Sequence, residues 1–392
     1  MKEQNPPAGW IYRPLAFLCR VVSRLLFRLE VEESGDIPRE GPLLLLSSHQ
    51  GMVDFILLIA ALRGRRIRFV ATQRQFRNPK LHWAYVRLRM IPKVQFHTDP
   101  RCVMGILRAL KGGGTVGIFP AGQTSMCGTP EGMTPAVAHL VKKAGVPVCT
   151  ASIHGGFFTW PRFGHGWNRG RTQVRLRLAF SPAELKALPE EEIYRKISRD
   201  LDYDDYAWQE ETGARFSGKH RAGGYGDVLI RCPKCGKWGA MADRGNRVFC
   251  RSCGNGGTVG EDMRIRPDSG ESRVFPTLKE WYAWQGKGIE LPLTLPARCQ
   301  RFDEDAFAYR DAGAGEITLT ESAIAYRGTL AGEETELTVP IRDLPGLSAA
   351  PGKYLELYHQ GYGLLRYVPQ DPADGWRVTA LKQEEEARFA QI

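Results

Sequence analysis

No run of about eighteen uncharged apolar residues occurs anywhere in the 392-residue chain, so no transmembrane helix is expected, since a span needs roughly twenty. No secretory leader is expected either: Met1–Gly9 is polar and proline-rich, and arginines break the apolar stretch after it. No internal repeat or low-complexity tract stands out. The nine cysteines supply no disulfide framework: Cys19, Cys102, Cys127, Cys149 and Cys299 are scattered and the other four form one tight quartet. That usage points to a reducing compartment and one metal site. What the chain has in excess is positive charge, and the excess is local. Residues 1–111 hold 15 Arg and 4 Lys against 8 acids, which accounts for the whole net charge of +11. A basic first domain calls for an anionic partner: membrane lipid, phosphorylated substrate or nucleic acid. The length allows two or three domains, the first large enough for its own core.

The chain is organised around Ser48-His49-Gln50-Gly51-Met52-Val53-Asp54. It follows a short apolar run, Leu43–Leu46, that reads as a buried strand, and precedes Phe55–Leu62, which reads as a helix. On one continuous helix, residues five apart would point about 140° away from each other. His49 and Asp54 can therefore meet only if His49 lies in the turn and Asp54 reaches back from the first helical turn. Such a pair holds a neutral imidazole in one tautomer, suited to taking a proton from a hydroxyl. The spacing alone also admits a surface histidine and a helix-start aspartate with no joint role.

Three further stretches accompany this one. Gly117-Ile118-Phe119-Pro120-Ala121-Gly122-Gln123-Thr124-Ser125 is similar to a Phe-Pro-Glu-Gly-(Thr/Gln)-(Arg/Thr)-Ser motif; Arg74-Gln75-Phe76-Arg77-Asn78-Pro79 pairs with Ile91-Pro92-Lys93; and Gly145-Val146-Pro147-Val148 comes last. With His-x-x-x-x-Asp, these four blocks over residues 44–148 resemble the glycerophospholipid acyltransferase family (1-acyl-glycerol-3-phosphate type). That family esterifies glycerol phosphates and lysophospholipids. The resemblance implies His49 as general base and Asp54 as its orienting partner. It implies Arg74 and Lys93 as cations near an acceptor phosphate, and Phe119, Pro120, Gly122, Gln123, Thr124 and Ser125 as the acceptor-binding stretch. The implied donor is a thioester, acyl-CoA or acyl-carrier protein. The chain departs from the pattern at Ala121, where the family has glutamate, and near Gln95, where the family often has arginine and Lys93 stands in. His97, His139, His154 and His165 have no partner at a telling spacing and read as packed or surface residues.

Alternating strands and helices predict an α/β domain with a mixed, largely parallel sheet flanked by helices, followed by a zinc ribbon and a small β-rich C-terminal module. Residues 1–30 are expected to form an amphipathic membrane-surface helix. Arg13, Arg20, Arg24 and Arg28 project to one face and Leu15, Leu18, Val22, Leu25, Leu26 and Leu29 to the other, with Cys19 at the edge; a helix packed on the domain fits the same pattern. Residues 31–205 are assigned to the acyltransferase domain, closing with a helix over Pro182–Leu201. A polar break at Asp202–Tyr206 marks the boundary. In 206–268, Cys232-Pro-Lys-Cys235 and Cys250-Arg-Ser-Cys253 form two knuckles that together match a structural zinc site with no open coordination position. Residues 296–392 read as strands closed by a helix, faintly like the pleckstrin-homology type.

The expected protein is a membrane-associated acyltransferase, cytoplasmic and held peripherally at the inner face of the cell membrane. Its partners are a lipid surface, a lysophospholipid or glycerol phosphate acceptor, and the acyl donor. A zinc-ribbon nucleic-acid-binding protein is the rival, disfavoured because the basic excess lies in residues 1–111 and the ribbon lacks aromatics spaced for base stacking. Ala121 keeps an inactive lipid-binding relative open.

Overall fold

The structure, a computed structural model, describes residues 6–94, 99–303, 305–344 and 346–389; Gln95 and His97 lie outside them. Clustering of backbone contacts divides the chain into two compact units, Met1–Arg162 with Asn168–Ser217, and Phe163–Trp167 with Gly218–Ile392.

The first unit runs α1 (Gly9–Leu25), β1 (Glu30–Ser34), β2 (Leu43–Ser47), α2 (Asp54–Ala61), β3 (Ile67–Thr72), α3 (His82–Arg87), β4 (Ile91–Lys93), α4 (Pro100–Lys111) and β5 (Thr115–Ile118). It continues through α5 (Ala136–Ala144), β6 (Val148–His154), α6 (Gly156–Thr159), β7 (Arg169–Gly170), β8 (Gln173–Phe180), α7 (Pro182–Ala187), α8 (Glu190–Asp200), α9 (Asp205–Thr212) and β9 (Phe216–Ser217). Its main sheet has the order β1-β8-β6-β2-β5-β3-β4. From β6 to β4 all neighbours are parallel, and only β8 and β1 run the other way. The central strand β2 is buried at every position, as a strand covered on both faces must be. Its alternating side chains divide between two layers. Leu43 and Leu45 pack with Tyr12 and Ala16 of α1 and Leu57 and Leu58 of α2. Leu44 and Leu46 pack with Ile106 of α4, Val141 of α5 and Ile193 and Ile197 of α8. The edge strand β1 is short, fully exposed and carries Glu30, Glu32 and Glu33, features that block further pairing.

Three expectations change. The first helix ends at Leu25 rather than near 30, and it belongs to the domain core. Tyr12, Ala16, Cys19 and Ser23 are buried, and the Tyr12 hydroxyl accepts the Ile67 N–H at 3.0 Å. Small side chains on that face let the helix sit close, so Cys19 is inside rather than at an edge. The single helix over 182–201 is two helices, because Leu188, preceding Pro189, is forced into an extended conformation. The boundary expected near 205 falls after Ser217. The polar stretch 202–206 turns inward: Asp204 caps α9 by accepting the N–H groups of Tyr206 (3.0 Å) and Ala207 (3.1 Å). Asp205, wholly buried, accepts those of Gly155 (3.0 Å) and Phe157 (3.2 Å). Desolvation pushes the Asp205 carboxyl up to about 8 against those two bonds.

The second unit holds α10 (Tyr225–Val228), a four-stranded antiparallel sheet of β10 (Met241–Arg244), β11 (Arg247–Cys250), β12 (Gly256–Val259) and β13 (Ile265–Pro267), and α11 (Leu278–Gly286). Then come β14 (Leu293–Asp303), β15 (Ala308–Leu319), β16 (Ala323–Leu330), β17 (Glu333–Pro340), β18 (Ser348–Ala350), β19 (Tyr354–His359), β20 (Gly363–Pro369) and α12 (Gly375–Phe389). These last strands form one antiparallel sheet in the order β17-β16-β15-β14-β20-β19-β18. The ribbon and the β-rich module, expected as separate domains, share this unit. Arg231 lies 5.0 Å from the rings of both Trp238 and Trp284, Trp238 stacks on Trp376 of α12 at 5.3 Å, and the Trp281 indole donates to the Arg231 carbonyl at 2.9 Å.

Candidate active site

In a parallel sheet the strands deliver their C-terminal ends, and the turns after them, to one edge, where α/β sites lie. Here β2 ends at Ser47, β5 at Ile118, β3 at Thr72, β4 at Lys93 and β6 at His154. The His-x-x-x-x-Asp turn, the Phe119–Ser125 loop, Arg74 and Lys93 therefore all emerge on the same edge.

The turn after β2 is folded around one carboxylate. Asp54, at the start of α2 and 1% exposed, uses Oδ2 to accept the backbone N–H groups of Gln50 (2.6 Å) and Gly51 (3.0 Å) and to meet His49 Nδ1 at 2.8 Å. Its Oδ1 is buried without a hydrogen-bond partner. Gln50 holds the turn to the end of β6: its amide donates to the Ile153 carbonyl and accepts the Gly156 N–H at 3.1 Å. Gly51 is required by contact, because a Cβ there would sit 2.6 Å from the Trp160 carbonyl oxygen and 2.8 Å from that of Gly156. The His49 ring stacks on Phe119, with centroids 4.1 Å apart, and its backbone carbonyl accepts the Ser125 N–H at 3.1 Å. Asp54 and Phe119 thus hold the ring orientation, with Nδ1 engaged by the carboxylate.

A cavity of about 450 Å³ opens beside His49. Of the residues expected at the site, His49 and Pro120 line it, joined by Ala121. Phe119 serves the histidine instead. The Ser125 hydroxyl braces its own loop, donating to the Thr129 carbonyl (2.6 Å) and accepting the N–H groups of Cys127 (3.3 Å) and Gly128 (2.9 Å), and it also meets the Tyr203 hydroxyl. Gly122 has φ +69° and closes a turn by donating its N–H to the Phe119 carbonyl at 3.0 Å. Thr124 is buried, and the Gln123 amide oxygen is buried without a partner. Arg74 and Lys93, at the ends of β3 and β4, are not among the residues lining the cavity.

Glu131, the acid nearest to Ala121 in the sequence, also lines the cavity, with a wall that the motifs did not indicate: Tyr194, Ser198, Arg199, Asp202 and Tyr203. The spacing of Tyr194 and Ser198, four residues apart, was an available sign that one face of α8 looks toward the site. Tyr203 is buried and donates to the His49 carbonyl at 3.4 Å. Desolvation, and then the charge of Asp205, push its hydroxyl well above the ordinary phenol range. The other histidines are elsewhere: His154 is buried beside Trp208, His139 meets Glu190 at the surface, and His165 lies 3.7 Å from Asp243.

In the second unit the Sγ atoms of Cys232, Cys235, Cys250 and Cys253 all lie within 4.8 Å of one another. Cys232 and Cys253 are 3.7 Å apart and Cys235 and Cys250 3.8 Å, too far for disulfides. A tetrahedral ion with metal–sulfur bonds of about 2.3 Å holds its sulfurs about 3.8 Å apart. The four thiolates fit a metal ion.

The site is thus a histidine held by a buried carboxylate at the C-terminal edge of a parallel sheet, beside a cavity, in an α/β unit. Residues 28–154, which contain the whole turn and the Phe119–Ser125 loop, match the family model described as Acyltransferase. Over this segment, about a third of the chain, the sequence is similar to the acyltransferase family. Among solved structures, the 1-acyl-sn-glycerophosphate (LPA) acyltransferase PlsC from Thermotoga maritima is similar over 53% of this chain and 82% of its own, at 19% identity and a TM-score of 0.44. The Ran binding domain of Nup2 from Ashbya gossypii aligns over 25% of this chain and 94% of its own, at 16% identity and a TM-score of 0.20. No curated protein matches the chain.

Proposed function

We propose that the protein transfers a fatty acyl group from a thioester, acyl-CoA or acyl-carrier protein, to a hydroxyl of a lysophospholipid or glycerol phosphate at a membrane surface. The observation that carries this reading is the His49–Asp54 pair opening on a cavity. Donation of Nδ1–H to Asp54 leaves Nε2 to take the proton from the acceptor hydroxyl as its oxygen attacks the thioester carbonyl. Asp54 stabilises the imidazolium so formed. Collapse of the intermediate breaks the C–S bond, and the imidazolium returns the proton to the departing sulfur, giving ester and free thiol. No acyl-enzyme is required. Cys19, Cys102 and Cys149 in this unit are buried, and desolvation pushes their thiols up to about 11, about 11 and about 12, so they are not poised as nucleophiles. Arg74 and Lys93, on the same sheet edge, are suited to an acceptor phosphate.

The exposed apolar residues support attachment to an anionic lipid surface. No helix among the described residues is long and apolar enough to cross a membrane. Trp10, Phe17, Leu18 and Leu25 are nevertheless exposed on α1 among Arg13, Arg20 and Arg24. The Arg87 guanidinium lies 5.7 Å from the Trp10 ring and 5.8 Å from that of Trp83. Met52 and Phe55, beside the catalytic turn, are exposed as well. Apolar burial combined with arginine attraction to headgroups is the chemistry of a peripheral enzyme at the inner face of the cell membrane. The metal of the second unit is read as zinc, structural because four sulfur ligands close its coordination.

The test is thiol release from an acyl thioester with a panel of glycerol phosphate and lysophospholipids, comparing wild type with His49→Ala. Loss of turnover by about a hundred- to ten-thousandfold is expected. Near-normal turnover by the variant would overturn the mechanism.

A further inference from the structure

The peptide that joins His49 to Gln50 is clamped at both ends. A peptide unit is planar, so the Gln50 N–H and the His49 carbonyl move together, and the imidazole hangs from the Cα at the edge of that plane. On one side Asp54 holds the Gln50 N–H at 2.6 Å. On the other the His49 carbonyl accepts the Ser125 N–H at 3.1 Å and the Tyr203 hydroxyl at 3.4 Å. The same phenol meets the Ser125 hydroxyl, so it touches both the catalytic turn and the loop after β5. Tyr203 is buried, lines the cavity and lies outside residues 28–154, the segment that matches the family.

Its place is set before any ligand enters. The two residues after it are anchored: Asp204 caps α9, and Asp205 accepts the N–H groups of Gly155 and Phe157. Between those two lies the Gly156 N–H, which Gln50 accepts. The phenol therefore reaches His49 from a frame already tied to the end of β6. Desolvation first, and then the charge of Asp205, keep it from ionising, so it remains a donor wherever a neutral imidazole can act. The Ser125 N–H alone would satisfy the buried His49 carbonyl. What the second bond adds is direction, since it resists tilting of the peptide about the first. A tilt moves the imidazole relative to the acceptor hydroxyl, which weakens the transition state and leaves substrate binding as it was.

We propose that Tyr203 is a positioning residue for the transfer: its hydroxyl holds the His49–Gln50 peptide against the loop after β5 and so aims the His49 imidazole at the acceptor hydroxyl. The proposal rests on the acyltransferase reading above and adds to it a residue that the His–Asp turn does not contain.

The experiment uses the full-length purified chain, one acyl thioester, and glycerol 3-phosphate and several lysophospholipids as acceptors. Tyr203→Phe keeps the ring and removes the donor. It is expected to lower kcat about three- to tenfold, the worth of one hydrogen bond, with KM for thioester and acceptor within about twofold. The urea midpoint should stay near that of wild type, which a merely structural role would not allow. Placing para-aminophenylalanine at position 203 restores an N–H donor and should recover most of the lost kcat. A kcat for Tyr203→Phe within about twofold of wild type overturns the proposal, as does a loss that the restored donor does not reverse or that follows a lowered urea midpoint. Each of these leaves the acyltransferase reading standing, because wild type still turns over. A wild type that transfers no acyl group to any acceptor overturns the reading and the proposal together.

Discussion

Replacing Asp54 by alanine and by asparagine separates the two tasks the carboxylate performs. Oδ2 collects the N–H groups of Gln50 and Gly51 and the imidazole of His49, and Gln50 is 0% exposed. Asp54→Ala leaves two buried backbone donors unmade, at about 1–3 kcal/mol each, so about 2–6 kcal/mol in all. Against a typical domain stability of about 5–15 kcal/mol, that brings the first unit toward unfolding. Asp54→Asn keeps an oxygen where Oδ2 stands. Its amide nitrogen takes the place of Oδ1, which already lacks a partner, so one unpartnered buried atom replaces another and stability should change by no more than about 1 kcal/mol. What asparagine cannot supply is charge for the imidazolium. Turnover should fall about a hundred- to ten-thousandfold, or about 3–5 kcal/mol on the barrier. Urea denaturation followed by the tryptophans gives the stability, and thiol release from an acyl thioester gives the rate. Asn and Ala variants that unfold at the same urea concentration would refute the assigned hydrogen bonds. An Asn variant within tenfold of wild-type turnover would refute the electrostatic role.

Further outcomes follow from other parts of the molecule. Metal analysis should find one zinc per chain, and its chelation should open residues 228–256 to proteolysis while residues 9–217 stay protected; an unchanged digestion pattern would count against the ribbon. Phe17→Ser combined with Leu25→Ser should weaken binding to anionic vesicles by more than about tenfold, since each apolar side chain is worth about 1.5–3 kcal/mol on burial, and added salt should weaken the wild type too. Desolvation, helped by Arg175, lowers His154 from 6.5 to about 4. The unfolded chain therefore binds a proton there between those values that the folded unit refuses. Stability present above pH 6.5 is lost as pH falls, by at most about 3 kcal/mol once pH reaches about 4. The urea midpoint of wild type should drop from pH 7 to pH 5, and His154→Phe should drop less; equal slopes would exclude His154 as the cause.

The sequence made the chemistry-bearing turns legible because their logic is local. Five residues separate His49 from Asp54, and at that distance a strand-to-helix turn is the conformation in which they meet. The two cysteine knuckles are equally local, since a hairpin places both thiolates of each Cys-x-x-Cys together. The alternating apolar segments exposed the α/β layering, because β2 must be apolar throughout to be covered on both faces. What the sequence obscured was the partner of each face. Leu18 and Leu25 are as apolar as the residues packed around them, yet they face outward, since Ala16, Cys19 and Ser23 allow the closer approach on the other side of α1. The acidic run at 202–206 reads as a linker until Asp204 and Asp205 are seen to satisfy backbone N–H groups, in Asp205's case those of a turn 48 and 50 residues away.

The same distinction separates reaction from substrate. The His49–Asp54 turn and the Phe119–Ser125 loop fall within 28–154, where short-range spacing reveals them. The rest of the cavity wall is brought to His49 by topology: Tyr203 reaches its carbonyl across 154 positions of chain, carried there by α8 packing under β2 through Ile193 and Ile197. In Tyr194–Tyr203 only the i, i+4 pair Tyr194 and Ser198 hints at that face, because the helix is selected first for its buried face, and its polar residues meet the cavity as a consequence. A change on the cavity-facing side of α8 would therefore alter the cavity wall while leaving the His–Asp turn as it is.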